Sequence, residues 1–331
     1  LDNTDDVNKE VIIETAEELS AFRDNVNNGI TYKGYTVKLI SNIDLNGVNW
    51  TPIGPNADAK NKFQGTFDGN NNTIYNLEVN QGAAYHAAGL FGALNGTVKN
   101  LVIDNAEVSS ISLGSATDNG TAVVAGSIYR NGLIDNVTVK NSKVYGNRYV
   151  AAISGYVYGS ITNCTVTGCE IVAEMDNLTG KYDNGDKVGA IAGYIAGEKT
   201  YVLCGNRVYN STLVAERDVA GIVGVASNLK EFENNTAQYV TIKYHSVKSY
   251  KTASEIVSER TVIDIPLSNT FNNVEVILDA KTLENVKDAL DLGLDVNLLQ
   301  DVSGAANDSN GYGATGVYVN GTSFNGNGNT F

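Results

Sequence analysis

The sequence predicts a mainly β solenoid: a parallel β-helix with a helical cap at its N-terminal side. Three observations carry this. First, a short pattern of a small residue, an aliphatic and a closing glycine returns five times. It reads Ala88-Gly89-Leu90-Phe91-Gly92, Ala122-Val123-Val124-Ala125-Gly126, Ala152-Ile153-Ser154-Gly155, Ala190-Ile191-Ala192-Gly193 and Ala220-Gly221-Ile222-Val223-Gly224. The closing glycines lie 34, 29, 38 and 31 residues apart, a period in which each repeat buries its apolar face only against its neighbours. Second, the chain alternates after each closing glycine, with Leu94, Ile128, Val157, Ile195 and Ala226 predicted inward. Third, asparagines recur where the strands must turn.

The first element is a helix over 15–28. Thr15 and Glu18 form a capping box, Leu19, Phe22 and Val26 share one face, and Asn28-Gly29 stops it. Such a helix suits the open end of a solenoid, where unpaired backbone and apolar core would otherwise meet water. A strand at Thr36–Ile40 follows, then Asp44-Leu45 and Trp50-Thr51-Pro52-Ile53-Gly54. Phe63 to Asn70 leads into Thr73-Ile74.

The repeats begin after this opening. Ala93, Ser127, Tyr156, Tyr194 and Val225, one residue past each closing glycine, are predicted outward. Eight to ten residues past it stand Asn100, Asn136, Asn163 and Asn234, with Gly205 in the fourth repeat. Asn and Gly both tolerate left-handed backbone angles, so this position reads as a turn. A second strand carries Leu101 and Ile103, Val137 and Val139, and Cys164 and Val166 inward. A second asparagine column stands at Asn105, Asn141 and Asn210, and Val108, Val144, Ile171 and Leu213 lie three residues beyond it. Short strands with no helices between them stack in parallel, about 4.8 Å apart. A propeller needs about 40 residues and four strands per blade, which the uneven spacing disfavours.

From 274 onward the opening is repeated. Val274–Leu278 mirrors Val11–Ile13, and Leu283, Val286 and Leu290 predict a second helix near 280–292. Asp295–Val302 mirrors Val37–Leu45, and Phe324–Phe331 mirrors Phe67–Ile74. The expected organisation is a capped β-helix over 1–250 and a partial second α/β cap module over 251–331, joined between 240 and 275.

Composition narrows the function. With 331 residues, 34 glycines and three prolines, the chain has room for a large core and many tight turns. Its net charge of −14 argues against nucleic acid and anionic membranes, which require clustered Lys and Arg. No run of about 18 apolar residues occurs, so no membrane insertion is expected. The chain starts at Leu1 without a signal-like stretch, and an export signal is expected upstream. Cys164, Cys169 and Cys204 follow no metal spacing, and their odd number excludes a fully paired framework. Cys164 stands where neighbouring repeats have Leu101 and Val137, so a buried apolar thiol is expected there.

The residues Ala88–Gly92 through Gly96-Thr97-Val98-Lys99-Asn100-Leu101 resemble bacterial surface proteins carrying the GLUG motif. Two further stretches fit: Ala16-Glu17-Glu18-Leu19 with Asp44-Leu45 and Trp50–Gly54, and Gly65-Thr66-Phe67-Asp68-Gly69-Asn70. The resemblance covers about 11–240 and, as a partial second copy, 274–331. It implies a right-handed, single-stranded, pectin-lyase-like β-helix on the surface of Bacteroides-like bacteria. Such modules occur in large exported proteins and beside IgA-specific metallopeptidases, and are taken as adhesins or spacers. It brings no catalytic residues. Later repeats drift from the motif.

Chemistry is sparse in the repeats. Asp104, Asp135, Glu170 and Glu233 are scattered, His86 and His245 are far apart, and neither HExxH nor GxSxG occurs. The expectation is therefore a chain that is not an enzyme and holds no cofactor. Polysaccharide lyase or glycoside hydrolase activity is the alternative, and a rigid spacer for another domain is a third reading. The site candidates are Tyr156 with Tyr194, and Tyr129 with Tyr158, which would share one face if the rungs stack in register. Exposed rings suit sugars or protein partners, while a ladder that only stabilises the strands is the bland reading. Asp176, Asp183 and Asp186, in an insertion with Asn184 and Gly185, supply the oxygen chemistry of a calcium loop, although the spacing departs from an EF-hand and a solvated acidic loop is the plainer reading. The loop Asp301–Gly313 invites the same reading. The expected partners are glycans or host surface proteins, with further domains of a longer protein.

Overall fold

The computed structural model describes residues 4–55, 62–84, 87–112, 119–174, 185–197, 200–227, 229–245, 253–254, 268–280, 295–298 and 324–325. Over these the protein is mainly β, with one α-helix. A small antiparallel pair, Thr4–Asp5 against Glu10–Ile13, borders the first rung. Every other strand pairing is parallel, and each joins a strand to one about a repeat further along the chain.

The registers explain why. Phe67 pairs with Val98, Val98 with Ile134, Ile134 with Ile161, Ile161 with Leu203 and Leu203 with Phe232. All six side chains are buried. A second interior column runs Ile74, Ile103, Val139, Val166, Val208, Ala237. A third runs Val79, Val108, Val144, Ile171, Leu213, Ile242. Leu94, Ile128, Val157, Ile195 and Ala226 form a fourth, as their alternation predicts. The period-two pattern thus puts one apolar residue of each repeat into each column of a shared core, where a fully buried Val, Leu, Ile or Phe adds roughly 1.5–3 kcal/mol by leaving water.

The turns are where the sequence places them. Asn100, Asn136, Asn163 and Asn234, and Asn105, Asn141 and Asn210, all have φ between 47° and 58°. Gly205 and Gly168 fill the gaps in these two columns at φ 71° and 64°. The side chains also bond along the stack: Asn136 Nδ2 donates to Asn100 Oδ1 at 2.9 Å and Asn105 Nδ2 to Asn76 Oδ1 at 2.7 Å.

A further, fully buried asparagine ladder stands one residue inside the first turn column. Asn206 Nδ2 donates to Asn235 Oδ1, and Asn235 Nδ2 to Asn269 Oδ1, each at 3.0 Å. The ladder ends at Cys164, whose backbone N–H donates to Asn206 Oδ1. Ser142, Cys169 and Ser211 take the corresponding place at the second turn, each donating to the carbonyl two residues earlier. Cys164 does the same to Thr162, so the cysteines act as buried hydroxyl analogues. Burial pushes the Cys164 thiol up to about 12 and the Cys169 thiol up to about 11. Since the thiolate is the nucleophile, Ellman's reagent at pH 8 should label only the half-buried Cys204 in the native protein and all three thiols in denaturant. Native labelling of Cys164 would show that these rungs open.

The helix Ala16–Asn27 has the predicted capping box, with Thr15 accepting from Glu18 N and Glu18 accepting from Thr15 N. Leu19, Phe22 and Val26 are buried. Phe22 lies 5.1 Å from Tyr32, 5.4 Å from Phe63 and 5.9 Å from Phe67 between ring centroids, so it closes this end with an aromatic plug. The predicted helix near 280–292 and the loop 301–313 lie outside the described residues. Thr270–Ala280 continues the ladder from Thr236–Tyr244. Val296 pairs with Phe324 as Val37 pairs with Phe67.

A second, five-stranded parallel sheet comprises Thr121–Ala122, Arg148–Ala151, Asp186–Gly189, Arg217–Ala220 and Ala253–Ser254. Each of the three middle strands packs on the strand that follows it in the chain. The closing glycines sit where these layers meet, and this explains their spacing. A Cβ on Gly126 would lie 2.6 Å from Ala88 N, and one on Gly193 would lie 2.7 Å from Lys187 O.

Candidate binding face

The registers stack Tyr156 directly on Tyr194, with Ser127 below and Val225 above. Tyr156 is not an exposed ring, however; it is 5% accessible. Its place is taken up by a residue the sequence reading missed, Tyr149. The Tyr149 ring lies 5.2 Å from Tyr156 and 5.4 Å from Tyr194. Tyr156 is also 5.4 Å from both Tyr158 and Tyr194. Four rings therefore form one cluster, with Tyr149 and Tyr156 inside and Tyr158 and Tyr194 half-buried at its surface. Tyr129 does not join it. The strand register shifts between Ile128 and Gly132, and Tyr129 instead lies under Lys62 Nζ, 3.4 Å from its ring centroid.

Tyr149 is held by an unusual backbone. It has φ 52°, and Lys187 and Asp218, the equivalent residues of the next two strands, have φ 63° and 56°. Bulky residues rarely adopt this region. Here the neighbouring column runs Arg148, Asp186, Arg217 in register. The two columns together hold five charged side chains. Asp186 is completely buried. Its Oδ2 takes Lys187 Nζ and, at 3.3 Å, Arg217 Nη2, while Arg148 Nε stands 4.0 Å from Oδ1. The Arg148 guanidinium lies 4.3 Å from the Tyr149 ring centroid and Lys187 Nζ lies 5.5 Å from it. Burial pulls the Lys187 ammonium below the usual lysine value, against the opposing pull of Asp186.

This geometry corrects the calcium reading at Asp186. Its carboxylate faces three cations and is sealed from water, so it is not a loop ligand waiting for metal. Asp176 and Asp183 lie outside the described residues, and no cluster of three metal-ligating side chains occurs among the described ones.

A scan against protein-family models finds no match, so the GLUG likeness stands on the residues quoted for it. Two curated proteins align with part of the chain. "Halomucin" of Haloquadratum walsbyi is 36% identical over 141 residues, 40% of this chain and 1% of that protein. A "Putative Gly-rich membrane protein" of Evansella cellulosilytica is 34% identical over 139 residues, 39% of this chain and 14% of that protein. The chain thus spans only a small part of the curated relatives it matches. A solved structure, a "putative immunoglobulin A1 protease" from Bacteroides ovatus, shares the fold with TM-score 0.60. It is 20% identical, and the match covers 84% of this chain and 79% of that one. This finding overturns the expectation that the chain is not an enzyme, because a protein described as a protease is built on the same fold. The fold is what the likeness establishes. No helix among the described residues is long and apolar enough to cross a membrane.

Proposed function

We propose that the chain is a capped, right-handed, single-stranded parallel β-helix displayed at a bacterial cell surface, and that its tyrosine cluster binds glycans or host surface proteins. The observation that carries the binding reading is the four-ring cluster, with Tyr158 and Tyr194 facing its outer side. Rings locked by stacking lose little entropy when they meet a flat ligand such as a pyranose. The long parallel registers support the helical winding, and the names of the two relatives, a mucin and a membrane protein, support the surface location. In this reading residues 251–331 are a second copy of the opening, as the repeated Val–Phe pairing suggests.

The test is a glycan array probed with the wild-type chain and with Tyr158→Ala/Tyr194→Ala. These are the outer rings, so their loss spares the buried pair. Binding that falls at least about tenfold in the double variant, with an unchanged unfolding midpoint, is the expected result. Absence of binding by the folded wild type would reduce the cluster to a structural ladder.

A further inference from the structure

We propose that the tyrosine face selects a sugar bearing a single carboxylate, with Arg148 as the residue that recognises it. This rests on the glycan-binding reading above and adds a ligand chemistry to it. The two columns hold three cations, Arg148, Lys187 and Arg217, which surround Asp186, and two buried carboxylates, Asp186 and Asp218, so these five charges carry a net charge of +1 on a chain whose total is −14.

The surplus cation is Arg148. Lys187 and Arg217 both touch Asp186 Oδ2, whereas Arg148 comes no nearer to the carboxylate than 4.0 Å, from Nε to Oδ1; the Nε atoms of Arg148 and Arg217 are both buried without a hydrogen bond. Its side chain is 20% exposed, and its guanidinium carbon lies 4.3 Å from the Tyr149 ring centroid. Its two terminal nitrogens form a planar fork. That fork matches a carboxylate bidentately, which a lysine cannot do. Tyr149 also touches Tyr194, so the ring platform and the cation adjoin. A pyranose on Tyr194 would bring an acidic substituent toward Arg148.

Glu174 and Glu216 limit the choice. They lie in one register column, Ala173 pairing with Ala215 just before them, and Glu216 directly precedes Arg217. Together with the total charge they disfavour a polyanion.

The test is calorimetric titration with sialyllactose, its carboxamide of the same shape, and lactose. The wild type should bind the acid at least about tenfold more tightly than the carboxamide. Arg148→Gln should abolish that preference while keeping the weaker binding of the carboxamide, and Arg148→Lys should restore it only in part. Equal affinity for acid and carboxamide would overturn the carboxylate inference and leave the tyrosine face as a neutral-sugar site. A preference that survives in Arg148→Gln would overturn the role of Arg148. No binding of any of the three would overturn the inference together with the glycan reading. Urea unfolding of each variant separates these outcomes from loss of fold.

Discussion

Asp186→Asn should lower the stability of the protein by about 3 kcal/mol, read as a shift of the urea midpoint. Removing one partner of a buried ion pair leaves the other charge without compensation, which costs roughly 3–5 kcal/mol. The lower end applies because the Arg148 and Arg217 side chains, 20% and 34% exposed, can turn toward water. Lys187, 10% exposed, cannot do so as easily. The double variant Asp186→Asn/Lys187→Met should therefore recover part of the loss, since Met removes the stranded ammonium and keeps the aliphatic stem. Calcium should not restore the single variant. A midpoint unchanged in Asp186→Asn would mean that water already solvates these cations and that the cluster is not a closed network.

Most of the fold is legible because stacking imposes the same demand on every rung. An inward position must be apolar, so Leu94, Ile128, Val157 and Ile195 announce themselves by alternation. A left-handed turn favours Asn or Gly, so Asn100, Asn136 and Asn163 mark the corners. The helix is legible from its capping box and its three apolar residues alone.

The site is less legible. Counting forward from each closing glycine finds Tyr156 and Tyr194. Counting seven residues back from Gly155, Gly193 and Gly224 reaches Arg148, Asp186 and Arg217, and six back reaches Tyr149, Lys187 and Asp218. The signal was present, but it lies across the variable insertion before Asp186, which hides the strand when repeats are aligned from the left. The residue types misled as well. Tyr149, Lys187 and Asp218 sit at positive φ, where an Asn or Gly would have flagged a turn. The buried ladder of Asn206, Asn235 and Asn269 follows the same logic. Its earlier equivalents are Leu101, Val137 and Cys164, so the position reads as simply apolar until the bonds between the asparagines are seen.

The closing glycines supply the other large effect. Gly155→Ala should destabilise the protein by about 3 kcal/mol, at the upper end of the usual cost of overpacking. A Cβ there would come within 2.6 Å of Gly120 Cα and Thr121 N, and closer still to the Tyr149 carbonyl. All three neighbours are backbone, belonging to two strands of the second sheet and the segment before one of them, so no side chain can rotate away. Conformational strain is not the cause, because Gly155 does not have a positive φ. Gly82→Ala gives the contrast. Gly82 has φ 56° and open space around it, so it should lose only about 1 kcal/mol from the left-handed backbone. The two substitutions together separate crowding from strain. Because the crowding at Gly155 involves the carbonyl of Tyr149, relief of the clash would also displace that ring. Glycan binding at Tyr194 should then weaken in Gly155→Ala and stay unchanged in Gly82→Ala. Equal losses of stability in the two variants would mean that the glycine column marks turn geometry and not the close approach of the two sheets.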